Sequence, residues 1–203
     1  MNNDRYGLRG RRLCTLAFAS AVLLSGCHSQ ILIKRDSPQF RDTTGQWTQA
    51  IAERGKNGDW LVIRGYHDAD NVVAVATNAR LSHVAIFDAD RGEVIEAVAP
   101  VVRVIPLAKL IAGSHRVVLL RPTGWSPASG AAAVARARSK VGVPYDFLGV
   151  IGIPSKKKFY CSELAAWSVG LKVDRHGAHR VLVPKDMLKH GRVVLDTKER
   201  RRR

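Results

Sequence analysis

The chain has 203 residues, with 33 Lys and Arg against 17 Asp and Glu, so its formal net charge is +16. Hydrophobic residues make up 46% and charged residues 25%, a globular composition that excludes collagen-like, coiled-coil and wholly disordered chains. Three cysteines are too few for a disulfide scaffold, and the excess of basic residues favours contact with anionic surfaces.

The chain begins with a predicted export signal over residues 1–26. An arginine-rich stretch precedes the apolar run Cys14–Leu24, which is about half of the roughly 20 residues that a membrane-spanning helix needs. Leu24-Ser25-Gly26-Cys27 follows and resembles the bacterial lipobox, with Cys27 at the lipidated position. The alternative is an ordinary signal peptide that is cleaved nearby.

A lipid on Cys27 would anchor the mature chain to a membrane leaflet. His28 follows Cys27, and the absence of an Asp at that position resembles outer-membrane sorting. We therefore expect a lipid-anchored protein of the bacterial cell envelope, in the outer membrane and facing the periplasm.

Residues 27–57 are predicted to contain the lipidated cysteine, a polar tether and a short helix over Gln46–Arg54. Strands are predicted at 60–64, 83–87, 93–98, 101–105, 116–120 and 193–195, and helices at 107–112, 129–141, 162–169 and 184–190. The apolar run 72–77 has no firm assignment. A β-rich middle with helices on either side indicates one α+β domain over 58–196, followed by a basic tail over 197–203.

Cys161 is the single thiol that remains once residues 1–26 are removed and Cys27 is lipidated. An unused thiol is vulnerable in an oxidising compartment, so Cys161 is a candidate nucleophile; the alternative is a small buried hydrophobe. It precedes a predicted helix, whose free N–H groups and dipole favour the thiolate. The same N–H groups, including that of Ser162, could bind an oxyanion.

A thiol nucleophile needs a base and a group that orients the base. His83 opens an otherwise apolar strand, and Glu96 lies in the strand that follows after a turn at Asp90–Gly92. A carboxylate within an apolar strand calls for a partner, because its unpaired burial is costly. The alternatives are a structural histidine and a Glu96 that faces solvent.

Five short motifs occur in an order that resembles the circularly permuted papain-like enzymes of the NlpC/p60 superfamily, the YiiX and YaeF type. In ordinary papain-like order the cysteine precedes the histidine, whereas here His83 precedes Cys161. The motifs are Gly58-Asp59-Trp60-Leu61, Leu81-Ser82-His83-Val84-Ala85-Ile86, Val94-Ile95-Glu96-Ala97-Val98, Gly142-Val143-Pro144-Tyr145-Asp146 and Tyr160-Cys161-Ser162-Glu163-Leu164.

The resemblance implies an antiparallel central sheet packed by helices. It assigns Cys161 as the nucleophile, His83 as the general base and Glu96 as the third polar residue, with Tyr145 shaping the site and Asp59 structural. It implies no metal and no organic cofactor.

The resulting hypothesis is a membrane-anchored cysteine hydrolase that cleaves an amide bond through an acyl-enzyme. The substrate is a peptidoglycan stem peptide or fragment, or an acylated amine or other acylated small molecule. The alternatives are a lipid ester or thioester hydrolase or acyltransferase, and a non-catalytic envelope lipoprotein that uses the same fold as a binding module. Nucleic-acid binding is not expected, because no zinc spacing, helix-turn-helix or pattern of stacking aromatics is present.

Overall fold

The computed structural model describes residues 31–153, 155, 157–172 and 181–201. The predicted signal peptide and the lipidation of Cys27 lie outside the described residues. One compact unit comprises Leu32–Arg203, and the description below concerns its described part. Among the described helices, none has the length and apolar content to cross a membrane.

A six-stranded sheet forms the centre of this unit, and every pair of neighbouring strands is antiparallel. Its order is β4-β3-β2-β1-β5-β6. The strands are β1 Trp60–Gly65, β2 His83–Asp88, β3 Glu93–Val98, β4 Val101–Pro106, β5 Ser114–Pro122 and β6 Gly191–Asp196. The predicted α+β class with an antiparallel sheet is confirmed.

Five α-helices and two short 3₁₀ helices accompany the sheet. The α-helices are α1 Pro38–Arg54, α2 Asp68–Ala76, α3 Leu107–Ala112, α4 Pro127–Arg138 and α5 Cys161–Ser168, and the 3₁₀ helices are Gly149–Ile151 and Pro184–His190. The run at 72–77, which the sequence left unassigned, lies largely in α2.

Helices cover both faces of the sheet at β1, and all six residues of this strand are buried. Burial on both faces also explains why apolar and polar residues do not alternate along β1. Trp60 and Val62 point into a core that includes residues of α4 and α5. Leu61 and Ile63 point into a second core with residues of α1 and α3. The helix that begins at Cys161 therefore packs on one face of the central strands of the sheet.

The first helix is longer than the sequence analysis predicted. It begins at Pro38 rather than Gln46, and the Ser37 hydroxyl caps it by accepting a 3.1 Å hydrogen bond from the Phe40 backbone N–H. Serine at the N-cap and proline in the first turn are established start signals. The polar tether expected over residues 28–45 is thus shorter by eight residues, since residues 38–45 are helical.

The basic tail is packed against the domain at Arg200, whose exposed fraction is 8%. Its guanidinium lies 4.1 Å from the ring centroids of both Phe40 and Trp47. It also donates to the carbonyls of Ser114 and Phe40, at 2.9 and 3.1 Å. Arg200, which the sequence places in a basic tail over 197–203, therefore packs against the domain in the structure.

Asp59 has the structural position that the sequence analysis expected. Its buried carboxylate accepts two hydrogen bonds from Arg121, at 2.9 and 2.8 Å, and one from the backbone N–H of Lys56, at 2.9 Å. These contacts join the turn before β1 to strand β5.

Candidate active site

His83 and Glu96 lie where two neighbouring strands stop pairing. The ladder between β2 and β3 runs from the pair Asp88–Glu93 to the pair Ile86–Ile95 and ends there. His83 remains paired with Ile63 of β1, on the other side of β2. The sheet therefore holds both residues by their backbones, just beyond the end of a ladder.

Their side chains meet in this place. Nε2 of His83 lies 2.8 Å from Oε2 of Glu96, and the exposed fractions of the two residues are 8% and 2%. The alternative of a solvent-facing Glu96 is wrong. The short contact and the burial are what an imidazole-orienting carboxylate requires.

Arg103 is a third member of this group that the sequence analysis missed. It lies opposite Glu96 in the β3–β4 register, and its Nε and Nη2 atoms are each 2.8 Å from Oε1 of Glu96. Burial alone would raise the pKa of Glu96, but the hydrogen bonds and charges of His83 and Arg103 lower it below its ordinary value. Glu96 is therefore ionised.

Cys161 is the first residue of α5, and its exposed fraction is 8%. The His83 imidazole and the backbone of Val84 interact with the thiol, and both interactions lower its pKa. Because Nε2 of His83 is hydrogen-bonded to Glu96, the interaction of the imidazole with the sulfur is assigned to the other ring nitrogen, Nδ1. Ser162 places its hydroxyl 3.8 Å from the sulfur as a further polar neighbour.

The electrostatics of this pair favour separated charges. Burial raises the pKa of the Cys161 thiol, but the hydrogen bonds from His83, Ser162 and Val84 bring it below its ordinary value. Burial lowers the pKa of His83, yet the contacts with Cys161 and Glu96 raise it well above its ordinary value. The arrangement therefore supports a thiolate beside an imidazolium, which is the reactive form of a thiol nucleophile.

Tyr145 and Ser162 were both expected at the substrate or oxyanion position. Tyr145 is half-buried, and its backbone pairs with Phe159, two residues before Cys161. Burial, followed by the charge of Cys161, raises the pKa of Tyr145 and keeps its hydroxyl protonated as a donor. The Ser162 side chain is fully buried, so its expected oxyanion contact rests on its backbone N–H.

Helix α2 supports the strand that carries His83. The Ser82 hydroxyl donates a 2.7 Å hydrogen bond to Asp70 of α2 and accepts a 3.0 Å bond from the Gly65 backbone N–H. Asp70 is buried, and its charge is among those that raise the pKa of Tyr145. The segment 66–80, which shows no pattern in the sequence, thus fixes the residue next to His83.

Among the described residues, no group of three or more His, Cys, Asp and Glu side chains has the arrangement of a metal site. The geometry instead brings together three of the five predicted site residues, Cys161, His83 and Glu96, with Tyr145 and Ser162 beside the thiol.

Comparisons with known proteins identify the family of the chain. Residues 55–187 match the model of a family described as "Permuted papain-like amidase enzyme, YaeF/YiiX, C92 family". Five chains of solved structures match, among them the metalloprotein yiiX from Escherichia coli O157:H7, at 25% identity and a TM-score of 0.49. That match covers 57% of this chain and 64% of the other, so this chain spans less than two thirds of it. A search of curated proteins found no match.

Proposed function

Since this chain belongs to the permuted papain-like amidases of the YaeF/YiiX, C92 family, a family of cysteine peptidases and amidases, we propose that Cys161, His83 and Glu96 are its catalytic triad. The reaction is hydrolysis of an amide bond through an acyl-enzyme. The observation that carries the proposal is the buried 2.8 Å contact between Glu96 and His83, together with the interaction of the same imidazole with the thiol of Cys161.

Acylation follows from the charge state of the pair. The Cys161 thiolate attacks the carbonyl carbon, a carbon–sulfur bond forms, and the electron pair moves to the carbonyl oxygen. We assign the free backbone N–H groups at the start of α5 as the donors that stabilise this negative charge, as an oxyanion site requires. The intermediate collapses, the carbon–nitrogen bond breaks, and the His83 imidazolium gives its proton to the departing amine.

Deacylation uses the imidazole that acylation leaves neutral. His83 takes a proton from water, and the hydroxide adds to the thioester carbonyl. The carbon–sulfur bond then breaks, which releases a carboxylic acid and restores the thiolate beside the imidazolium. Glu96 keeps the Nε2 proton of His83 in place throughout, so that Nδ1 faces the sulfur.

The proposed substrate is a peptidoglycan stem peptide or an acylated amine, because both present an amide to a thiol in the cell envelope. The placement in the envelope rests on the lipobox-like sequence at Leu24–Cys27. A lipid ester or thioester is the second candidate. It is favoured by the exposed apolar side chains of residues 147–153, which follow Tyr145 directly.

A non-catalytic binding module with the same fold would leave the sulfur and the imidazole apart. Cys161 begins the helix that packs on the strand carrying His83, and the interaction of the two side chains raises the pKa of the imidazole. This proximity supports the enzyme over the binding module.

The test is to trap the acyl-enzyme. Wild-type protein, Cys161→Ser and Cys161→Ala are incubated with peptidoglycan fragments, with N-acyl amines and with acyl esters, and the intact mass is followed. We expect an acyl adduct on wild-type protein with the amide substrates and no turnover by Cys161→Ala. Turnover by Cys161→Ala equal to that of wild-type protein would overturn the proposed nucleophile.

The envelope location has its own test. Labelled palmitate fed to cells is expected to appear on wild-type chain and not on Cys27→Ala, and the labelled chain is expected in the outer-membrane fraction. Labelling that is independent of Cys27 would contradict the lipoprotein proposal while leaving the hydrolase proposal intact.

A further inference from the structure

Residues 147–153, here called the apolar loop, expose an unusual amount of hydrophobic surface. Five of these residues have large hydrophobic side chains, with exposed fractions from 36% to 65%. The exposed members are Phe147, Leu148, Val150, Ile151 and Ile153. Concentrated exposure of this kind marks an interaction site.

The backbone of the apolar loop is held from inside. The buried carboxylate of Asp146 accepts hydrogen bonds from the backbone N–H groups of Gly149, at 2.9 Å, and Ser155, at 3.0 Å. Ile153 closes the loop by donating to the carbonyl of Leu148 at 2.9 Å. A Cβ at position 149 would lie 2.5 Å from the Asp146 carboxylate, so glycine is needed there. The polar groups thus point inward and the apolar side chains outward.

The loop is connected to the thiol at both of its ends. At its start, the ring of Phe147 packs edge-to-face on Tyr145, with the ring centroids 5.0 Å apart. After it, Phe159 pairs with the backbone of Tyr145, two residues before Cys161. Anything that binds the outer side of the apolar loop is therefore held beside the candidate active site.

The charge next to the loop indicates the kind of partner. Lys157 and Lys158 follow the loop and are exposed, and the whole chain carries a net charge of +16. Apolar side chains next to lysines match a bilayer whose acyl region lies under anionic headgroups. Lysine stems can also extend along apolar surface while their ammonium groups reach the phosphates.

We propose that the apolar loop, with Lys157 and Lys158, is a membrane-docking surface that binds an anionic phospholipid bilayer and holds the candidate active site beside it. One short apolar contact binds membranes only marginally, so stable attachment requires a second signal. The lipid proposed for Cys27 would supply that signal, and the loop would supply orientation.

The test places a tryptophan in the loop of the full chain. Ile151→Trp and Val193→Trp are each added to vesicles of bromine-labelled phosphatidylcholine with phosphatidylglycerol, and quenching is compared with wild-type protein. Val193 is the matched control, because it is an exposed apolar residue on β6 with an exposed fraction of 52%. Circular dichroism checks that both variants fold.

For each variant, the quenching in excess of wild-type protein reports the introduced tryptophan. We expect this excess to be severalfold larger for Ile151→Trp than for Val193→Trp. We expect the additional quenching to fall when Lys157→Glu and Lys158→Glu are introduced, and when phosphatidylglycerol is omitted. Equal quenching of the two tryptophans would overturn the docking surface, and quenching unchanged by lipid charge would overturn the choice of an anionic bilayer. Because no turnover is measured, Cys161→Ala should quench normally, which separates this proposal from the hydrolase proposal.

Discussion

Glu96 is shared between two cationic groups, with one carboxylate oxygen 2.8 Å from Nε2 of His83 and the other 2.8 Å from Arg103. The carboxylate therefore does two things at once. It fixes the orientation of the imidazole, and it is kept ionised by a guanidinium from the neighbouring strand.

Replacing Glu96 with Gln should lower kcat/KM by about 10–10³-fold. Proton transfer by His83 accelerates the reaction only when the imidazole is correctly oriented, and Glu96 provides that orientation. The amide keeps the shape but removes the charge that favours the imidazolium. Steady-state kinetics on the best amide substrate measures the effect. Glu53→Gln, at an exposed position on α1, is the matched control and should be unaffected. Full activity of the Glu96 variant would contradict its role in the triad.

The pH dependence of thiol alkylation reports the ion pair directly. The pKa of Cys161 is lowered and that of His83 is raised, so the thiolate should persist to pH values below the ordinary thiol pKa. Rates of iodoacetamide modification across pH should rise with a midpoint below that of free cysteine, and His83→Gln should move the midpoint upward. An identical midpoint in both proteins would mean that the imidazole does not stabilise the thiolate.

Arg103→Gln should raise the pH below which the enzyme loses activity on acidification. The Arg103 guanidinium helps to lower the pKa of Glu96, so its removal raises that pKa. Glu96 then takes up a proton at a higher pH, and activity should fall earlier on acidification. The pH profile of kcat/KM measures the shift, with Arg80→Gln as the exposed arginine control. A profile that matches wild-type protein would show that Arg103 leaves the triad unaffected.

Ser82→Ala tests how α2 supports the His83 strand. The substitution removes the donor to Asp70 and the acceptor for Gly65, both in buried surroundings. We expect a loss of about 1–3 kcal/mol in the free energy of unfolding, the usual cost of leaving a buried polar partner unsatisfied. Urea unfolding measures it against Ser139→Ala, whose hydroxyl is exposed. Equal stabilities would show that the contact with α2 contributes nothing to the strand.

Arg200→Ala should destabilise the domain by about 1–3 kcal/mol, because several buried carbonyls lose a charged donor and two aromatic rings lose their cation. Thermal and urea unfolding measure the change. Arg201→Ala is a sharp control, since the adjacent arginine is exposed. If the two variants are equally stable, the C-terminal segment is a solvated tail after all.

The predictable part of this protein follows from local patterns. Apolar strands bounded by turns located β1, β2 and β3 closely, and the start of α5 was placed within one residue of Cys161. Ser37 and Pro38 also signal the start of α1, although the polar composition of the segment favours a tether.

The unpredictable part depends on tertiary packing. Arg103 reaches Glu96 only because the β3–β4 register places the two residues opposite each other. A single sequence does not determine this register, and a shift by one residue would move the Arg103 side chain to the other face of the sheet. Arg200 meets Phe40 from 160 positions away, and an arginine within a basic run carries no local sign of burial. The support from Asp70 likewise required knowing that α2 packs beside β1.

The contact between Arg200 and α1 links two parts of the chain that are 160 positions apart. Nη1 of Arg200 is 3.1 Å from the carbonyl of Phe40, and its guanidinium lies on the rings of Phe40 and Trp47. Proteolytic cleavage of the chain before Arg200 would therefore also expose these two aromatic rings on the first helix.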